Sequence, residues 1–231
     1  MTIRPYVTLN IAISVDGKTD TVSRKGAAIS SPNDMERVDR LRADNDAVMV
    51  GGHTLLGDDP RLTVKSGVLR AERLSRGLEE NPIKVGIITN AILKTNNRFM
   101  TTGHARKIIF TTNKTNPDQI SLLRNNNVQV HVNEGSRVDL KAALQKLKQG
   151  GVEHLLVEGG GTLNEELLKQ ELVDEINVYS APLLFGGSSA PTFMSGKGLE
   201  RHAAIPLQLT SVNSDKGGGI LARYIVGNKN I

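Results

Sequence analysis

Two glycine-marked turns, each closing a short apolar run, carry the clearest chemical signal in this chain. The first is D-A-V-M-V-G-G-H-T-L-L-G-D-D-P-R-L-T, Asp46 to Thr63. The second is H-L-L-V-E-G-G-G-T-L-N-E-E-L, His154 to Leu167. In each, a buried-type strand stops at glycines, and a hydroxyl residue, Thr54 or Thr162, follows where a helix can begin. Such a turn presents bare backbone N–H groups and a helix N-terminus to an anion, typically a phosphate. Two such turns in one chain suit a ligand with more than one phosphate, such as a dinucleotide.

The second turn is the sharper one. Gly159, Gly160 and Gly161 let backbone approach a pyrophosphate, where one glycine would suffice for a turn. Asn164 stands where a dinucleotide fingerprint of the G-x-G-x-x-G type would place its third glycine, which disfavours an ordinary Rossmann unit. Glu158 ends the preceding strand, where open α/β sheets bind ligands, or is only a solvated strand-end carboxylate. In the first turn, Asp58 and Asp59 form a metal-type pair with no third ligand at suitable spacing, or serve as turn residues before Pro60. His53 reads as a surface or packing residue before it reads as a catalytic one.

Other chemistries lack their residues. The chain has no cysteine, which removes disulfides, thiolate metal ligands and a Cys nucleophile. The five histidines are scattered, with no H-E-x-x-H. Neither G-x-S-x-G nor G-x-x-x-x-G-K-[ST] occurs. An enzyme without nucleophile or metal suits hydride transfer, where the cofactor carries the chemistry.

The elements that must position these residues follow from short β-branched runs alternating with helical patterns. Strands are expected at Tyr6–Ser14, Ala47–Val50, Ile83–Thr89, Lys107–Thr111, Val128–Val132, His154–Val157, Glu175–Ala181, Ile205–Val212 and Ile220–Val226. Helices are expected at Asn33–Ala43, Pro117–Asn126, Leu140–Gln149 and Leu163–Glu171. The alternation predicts an α/β fold, its central sheet mostly parallel with helices on both faces. The S-D-K-G-G-G turn within Asn213–Gly219 joins the last two strands as an antiparallel edge hairpin. Leu69–Asn81 reads as a surface loop or short helix. Ser31-Pro32-Asn33-Asp34 is a helix start: Ser31 caps, Pro32 takes the first position, and Asp34 sits where a carboxylate reaches back. That helix turns Met35, Val38 and Leu41 inward and Arg37, Asp39 and Arg40 outward.

The 231 residues show no linker or composition shift, so a single domain over 1–231 is expected. The net charge of +5 suits solubility or a polyanionic ligand. Scattered cations and few aromatics argue against nucleic acid. No apolar run approaches the ~20 residues of a membrane span, and the start lacks a signal-peptide pattern. A soluble, cytoplasmic protein is expected.

Four ordered motifs resemble those of the riboflavin-pathway reductases. V-G-G-H-T-L-L-G-D-D-P-R-L-T resembles their V-G-x-x-T-[VL]-x-x-D-D-P-x-L-T, and L-V-E-G-G-G-T-L-N their second signature. V-D-E-I-N-V-Y-S-A-P-L-L-F-G-G, Val173 to Gly187, and the opening strand with S-V-D-G-K, Ser14 to Lys18, complete the set. The chain is most similar to the archaeal and fungal type, 2,5-diamino-6-(5-phosphoribosylamino)pyrimidin-4(3H)-one reductases, homologous to the reductase half of bifunctional bacterial riboflavin deaminase-reductases. The resemblance implies a dihydrofolate-reductase-like fold, NADPH as cofactor, reduction of the ribosyl side chain to ribityl, and a homodimer. It places Thr54, Asp58, Gly160, Gly161, Thr162 and Leu163 on the cofactor, with Gly159 in the same turn. Thr89 joins them from I-I-T, Ile87–Thr89, where the family has V-D-S. Arg42, Leu62, Lys65 and Glu158 match substrate-side positions, and Asp34 matches an acidic residue of the archaeal type. Asp34 and Glu158 are the expected catalytic residues. Lys114 is a nearby cation for a 2′-phosphate. Val173 to Phe185 reads as an interior strand entering the core or as a dimer seam formed with the C-terminal strands. Two rival readings are another pteridine or pyrimidine reductase of this fold, and a non-catalytic nucleotide-binding module.

Overall fold

The computed structural model describes residues 3–227. In chain order its elements are β1 (Tyr6–Ser14), α1 (Pro32–Asp44), β2 (Ala47–Gly51), α2 (Gly52–Gly57), α3 (Gly67–Ser75), β3 (Ile83–Ile87), α4 (Arg98–Thr101), β4 (Lys107–Thr112), α5 (Pro117–Asn125), β5 (Val128–Asn133), α6 (Leu140–Gln149), β6 (His154–Val157), α7 (Gly161–Lys169), β7 (Glu175–Ala181), a 3₁₀ turn (Arg201–Ala203), β8 (Leu207–Ser214) and β9 (Ile220–Val226). Tertiary contacts divide the chain into two compact units. One holds Val38–Leu156 with the residues before Tyr6; the other holds Tyr6–Arg37 and the chain from Val157 onward.

In the first unit the strands run in the order β5-β4-β3-β2-β6. β2–β3, β3–β4 and β4–β5 are parallel pairs. All five residues of β2 are buried, as are Ile108–Thr112 of β4, so both faces of these strands are covered. Val48, Val50, Leu55, Leu62, Ile88, Phe99, Ile109, Leu123 and Leu156 belong to one apolar cluster. At Gly86, in the middle of β3, a Cβ would lie 2.6 Å from Ile109 Cδ1 and 2.7 Å from Leu55 Cδ2. The glycine is what lets α2 settle onto its strand.

In the second unit the order is β1-β7-β9-β8. β1–β7 is parallel, while β7–β9 and β8–β9 are antiparallel. The sheet is therefore mostly parallel with an antiparallel C-terminal hairpin, as the sequence led us to expect. β7 lies between β1 and β9, with Ile176, Tyr179 and Ala181 buried, so it is an interior strand and offers no seam edge of its own. The strand at the end of the order is β8, where Leu209 and Val212 are exposed.

The S-V-D-G-K and P-L-L-F-G-G motifs turn out to hold each other. Ser14 Oγ donates to Asp16 Oδ1 at 2.6 Å. Asp16 also accepts from Phe185 N at 3.2 Å and Gly186 N at 2.7 Å, and Val15 N donates to Leu183 O at 2.9 Å. These bonds hold the Asp16 carboxyl at about 2, below the usual carboxylate range, the Ser14 hydroxyl first among the causes.

Several expected boundaries shift. β3 ends at Ile87, leaving Thr89 in a loop. Of the ambiguous stretch Leu69–Asn81, the part through Ser75 is helical, within α3, which starts earlier at Gly67 and is capped by Ser66 Oγ accepting from Leu69 N. α2 and α4 are too short for a helical repeat to announce them. α7 begins at Gly161, so two of the expected turn residues are helical. On α1, Met35 is 39% exposed whereas Asp39 is buried, the reverse of their expected placement. Asp39 goes inward because its carboxylate has amides to bind: Lys65 N at 2.6 Å and Ser66 N at 2.8 Å.

Candidate functional site

Within the first unit the site residues hang on a tied-down strap, Leu62 to Ser66. Asn81 Oδ1 accepts from Val64 N at 2.9 Å, and Arg42 Nη1 donates to Thr63 O at 3.1 Å. Arg70 Nη1 donates to Val64 O and Lys65 O at 3.0 and 2.8 Å. Together with Asp39, three side chains besides Arg42 thus fix the backbone that carries Lys65, whose own side chain is exposed. Arg42 is half-buried beside it. The structure brings these two expected substrate-side cations to one strap, an arrangement suited to an anionic group. Leu62 is fully buried in the apolar cluster and holds φ at 50°, so it presents backbone rather than side chain.

Thr54 lies half-buried inside α2, and its carbonyl accepts from Asp58 N at 3.0 Å, closing the helix. Asp59 holds the left-handed φ of 44° and its carboxylate accepts from Arg98 N at 2.8 Å and Phe99 N at 3.1 Å. The second aspartate of the D-D-P motif is thus the anchor of α4. Lys84 holds the other end of α4, its ammonium donating to Phe99 O at 3.1 Å and Thr102 O at 2.6 Å. Lys84 is 1% exposed, and burial, then Lys107 and Arg42, push its pKa down to about 8. His53 is exposed on the surface of α2. Among the described residues no group of three His, Cys, Asp or Glu is placed to hold a metal.

Thr89 is half-buried, and its carbonyl accepts from Thr112 Oγ1 at 2.7 Å, with Thr111 Oγ1 at 3.4 Å. Ala91 N donates to Thr115 Oγ1 at 2.8 Å, and Thr111 and Thr115 share a 2.6 Å hydroxyl contact. A cluster of threonines therefore shapes this loop. Lys114 is exposed, its N–H donating to Thr112 Oγ1 at 3.2 Å.

In the second unit, α7 starts at Gly161 with Gly160 at the cap position and no side-chain cap. The glycines differ in their reasons. Gly159 needs its φ of 96°, a region that disfavours side chains. At Gly161 a Cβ would lie 2.3 Å from Ser195 Oγ and 2.8 Å from Thr192 O. Ser195 N also donates to Gly161 O at 3.1 Å, and Asn164 Nδ2 to Phe193 O at 2.9 Å. A strap over Thr192–Ser195 therefore claims Gly161, a constraint that no local pattern announces. Gly160, at φ −27°, has no such conformational need. A glycine at the cap position and a helix start with no side-chain cap suit an anionic group. Leu163 is buried, Thr162 exposed, and Glu158 half-buried at the end of β6.

Asp34 is 4% exposed in the first turn of α1. Ser31 caps as expected, accepting from Asp34 N at 3.1 Å. The Asp34 carboxylate does not reach back; it pairs with Arg37, whose Nε donates to Oδ1 at 2.8 Å. Arg37 is thus half-buried rather than turned to solvent, because an i,i+3 partner draws it along the helix. A second set of residues holds α1 in place. Asp215, from the β8–β9 turn, accepts from Ser31 Oγ, from Asn33 Nδ2 at 2.8 Å and from the Tyr179 hydroxyl at 2.9 Å. Those bonds, Ser31 foremost, bring the Asp215 carboxyl down to about 2. Burial, with Asp215 and Asp34 nearby, raises the Tyr179 phenol. Sequence reasoning missed Asp215, Tyr179 and Arg37; only the Asp34–Arg37 spacing held a signal.

Comparison with known proteins places these features in a family context. Residues 5–221 match the model described as the RibD C-terminal domain. The chain is 40% identical over 203 residues to a 2,5-diamino-6-ribosylamino-4(3H)-pyrimidinone 5′-phosphate reductase of Archaeoglobus fulgidus, covering 88% of this chain and 92% of that protein. Among solved structures, RibD of Acinetobacter baumannii superposes with a TM-score of 0.80 at 26% identity, covering 98% of this chain and 59% of that one. Dihydrofolate reductase of Enterococcus faecalis reaches a TM-score of 0.50 at 13% identity, covering 96% of this chain and 97% of that one, a likeness of fold alone.

Proposed function

As the chain belongs to the RibD C-terminal domain family, we propose that it reduces the ribosyl side chain of 2,5-diamino-6-(5-phosphoribosylamino)pyrimidin-4(3H)-one to ribityl, a step of riboflavin biosynthesis, using NADPH. The observation that carries this reading is the 40% identity to the archaeal reductase, extending over 92% of its length.

In the second unit the backbone of Gly159–Gly161, Thr162 and Leu163 would hold the cofactor pyrophosphate at the start of α7; in the first unit, Thr54, Asp58 and Thr89 are assigned to the cofactor on the family resemblance alone. Bound there, NADPH supplies a hydride. Arg42 and Lys65 suit the substrate phosphate, since Lys65 stands on the fixed strap and Arg42 reaches it from α1 through Thr63 O. Leu62 shapes the strap's backbone. Asp34 and Glu158 flank the reaction: one carboxyl group grips the pyrimidine or delivers the proton that balances hydride addition at C1′ of the opened ribose. A neutral imine nitrogen takes that proton as the C=N bond becomes C–N. Holding the reactants in place accounts for much of the rate.

NADPH rather than NADH is the expected cofactor, with Lys114 available to a 2′-phosphate; equal catalytic efficiency with both would contradict it. We further propose one reductase domain over 1–231, because two of the three divisions between the compact units fall inside α1 and β6 and not in linkers. A homodimer is proposed with β8 at its seam, on the strength of exposed Leu209 and Val212. No helix among the described residues is long and apolar enough to cross a membrane, and a cytoplasmic site is proposed from the nicotinamide chemistry. Incubation with NADPH and the pyrimidine, following loss of the reduced-nicotinamide absorbance and the ribitylamino product, tests the reaction. No turnover would refute it.

A further inference from the structure

Asp34 and Arg37 carry more buried polar atoms than the fold uses. Arg37 Nε bonds Asp34 Oδ1. Arg37 Nη2 lies 2.7 Å from the same oxygen, an ion-pair contact without hydrogen-bond alignment. Asp34 Oδ2 and both terminal nitrogens of Arg37 are buried with no hydrogen-bond partner among the described residues. The Asp34 side chain is 1% exposed and that of Arg37 is 16% exposed.

Buried polar atoms left unpaired are destabilising, and more so on charged groups, so proteins seldom keep three together without a use. The neighbours are already committed. Ser31, Asn33 and Tyr179 all donate to Asp215, and the Ser31 oxygen caps the helix. What remains is one carboxylate oxygen that can only accept, beside a guanidinium edge that can only donate. The complement is a ligand with a donor next to an acceptor on one planar edge. A 2-amino-4-oxopyrimidine has that edge: ring N–H beside the carbonyl oxygen at C4.

We propose that Arg37 is a substrate-binding, specificity-determining residue whose terminal nitrogens donate to the C4 carbonyl oxygen of the pyrimidine while Asp34 Oδ2 accepts from the adjacent ring N–H. The assignment rests on the reductase reading above. It makes Arg37 the group that distinguishes an oxo from an amino substituent at C4, because a guanidinium offers no acceptor to an amino group. A site built to bond one polar group rejects the analogue that lacks it, since its own groups are then left unpaired.

The test uses two bases, 2,5,6-triaminopyrimidin-4(3H)-one and 2,4,5,6-tetraaminopyrimidine, as competitors of turnover and as ligands in calorimetry. The parent should bind the 4-oxo base at least about tenfold more tightly than the 4-amino base. Arg37→Gln should raise KM for the pyrimidine substrate by at least about tenfold and lose the preference, with KM for NADPH unchanged. Arg37→Lys should retain part of both. A folded Arg37→Gln protein with the parent's KM and preference would overturn the proposal. If Arg37→Gln does not fold, equal affinity of the parent for the two bases overturns it instead. A parent that binds the 4-oxo base selectively yet never turns over refutes the reductase reading and leaves the Arg37 assignment standing.

Discussion

Asp59 performs two separable tasks, and three substitutions take them apart. Its carboxylate caps α4 through the amides of Arg98 and Phe99, and its backbone sits at φ 44°. Losing a side-chain cap costs about 0.5–2 kcal/mol. Holding an ordinary residue in the left-handed region costs about 1–2 kcal/mol, which glycine avoids and asparagine largely avoids. The exposed ion pair to Arg98, at 3.8 Å, adds almost nothing. The Arg98 side chain keeps its bonds to Asp58 O and Asp59 O whatever side chain stands at 59. Asp59→Asn keeps one acceptor and the backbone, so it should cost less than about 1 kcal/mol. Asp59→Gly loses the cap and keeps the backbone, for roughly 1–2 kcal/mol with the flexibility glycine adds to the unfolded chain. Asp59→Ala loses both, for roughly 2–3 kcal/mol. In a chain of this size each kcal/mol lowers Tm by roughly 2–4 °C. Urea titration and thermal unfolding of the three variants should therefore rank Asn above Gly above Ala. An alanine variant as stable as the glycine one would refute the backbone argument, and three variants as stable as the parent would refute the cap.

Other consequences are open to measurement. Gly160→Val places a side chain where the uncapped α7 backbone must face an anion, so the NADPH dissociation constant should rise at least about tenfold in a folded protein; unchanged affinity by fluorescence titration would remove Gly160 from the site. Asp34→Asn keeps a residue suited to a helix start but loses the carboxylate, so kcat/KM should fall at least about tenfold, roughly 1.4 kcal/mol, with NADPH affinity unchanged; parent-like steady-state kinetics would exclude Asp34 from chemistry and recognition. Lys84 has a folded pKa of about 8 against 10.5 free, so its contribution to stability is full above pH 10.5 and is lost as pH falls through 8. The stability lost in Lys84→Met should accordingly be larger at pH 10 than at pH 7.5, and the same difference at both pH values in urea titrations would contradict the burial of this ammonium.

Regular elements were legible where periodicity repeats within one segment. β1, β6, β7, β9 and α6 start and stop where their apolar patterns do. α2 and α4 were not, because helices of six and four residues have no repeat and depend on Gly86, Asp59 and Lys84 elsewhere in the chain. The glycine turns announced a site, yet the reasons for individual glycines were mixed: Gly161 answers to Ser195, which no local pattern reveals. Arg37 and Asp39 looked solvated because charge on a helix usually is, and each is drawn inward by a partner. Asp215 was invisible as an anchor, since its partners Ser31 and Asn33 lie 184 and 182 positions away.

Those separations have a kinetic consequence. The first unit is almost all one uninterrupted stretch, Val38–Leu156, and every strand pairing within it becomes available in the order of synthesis. The second unit is assembled from the two flanks of that stretch. Its ties run from Val7 to Asp174, from Asp16 to Gly186 and from Ser31 to Asp215, spanning 167, 170 and 184 positions. Closing contacts so distant loses chain entropy before any compensating packing forms, which slows the search. During translation Asp34 waits on a helix start whose anchor has not yet been made. The β8–β9 turn is among the last structured pieces to leave the ribosome, and with it comes the residue that fixes the N-terminus of α1.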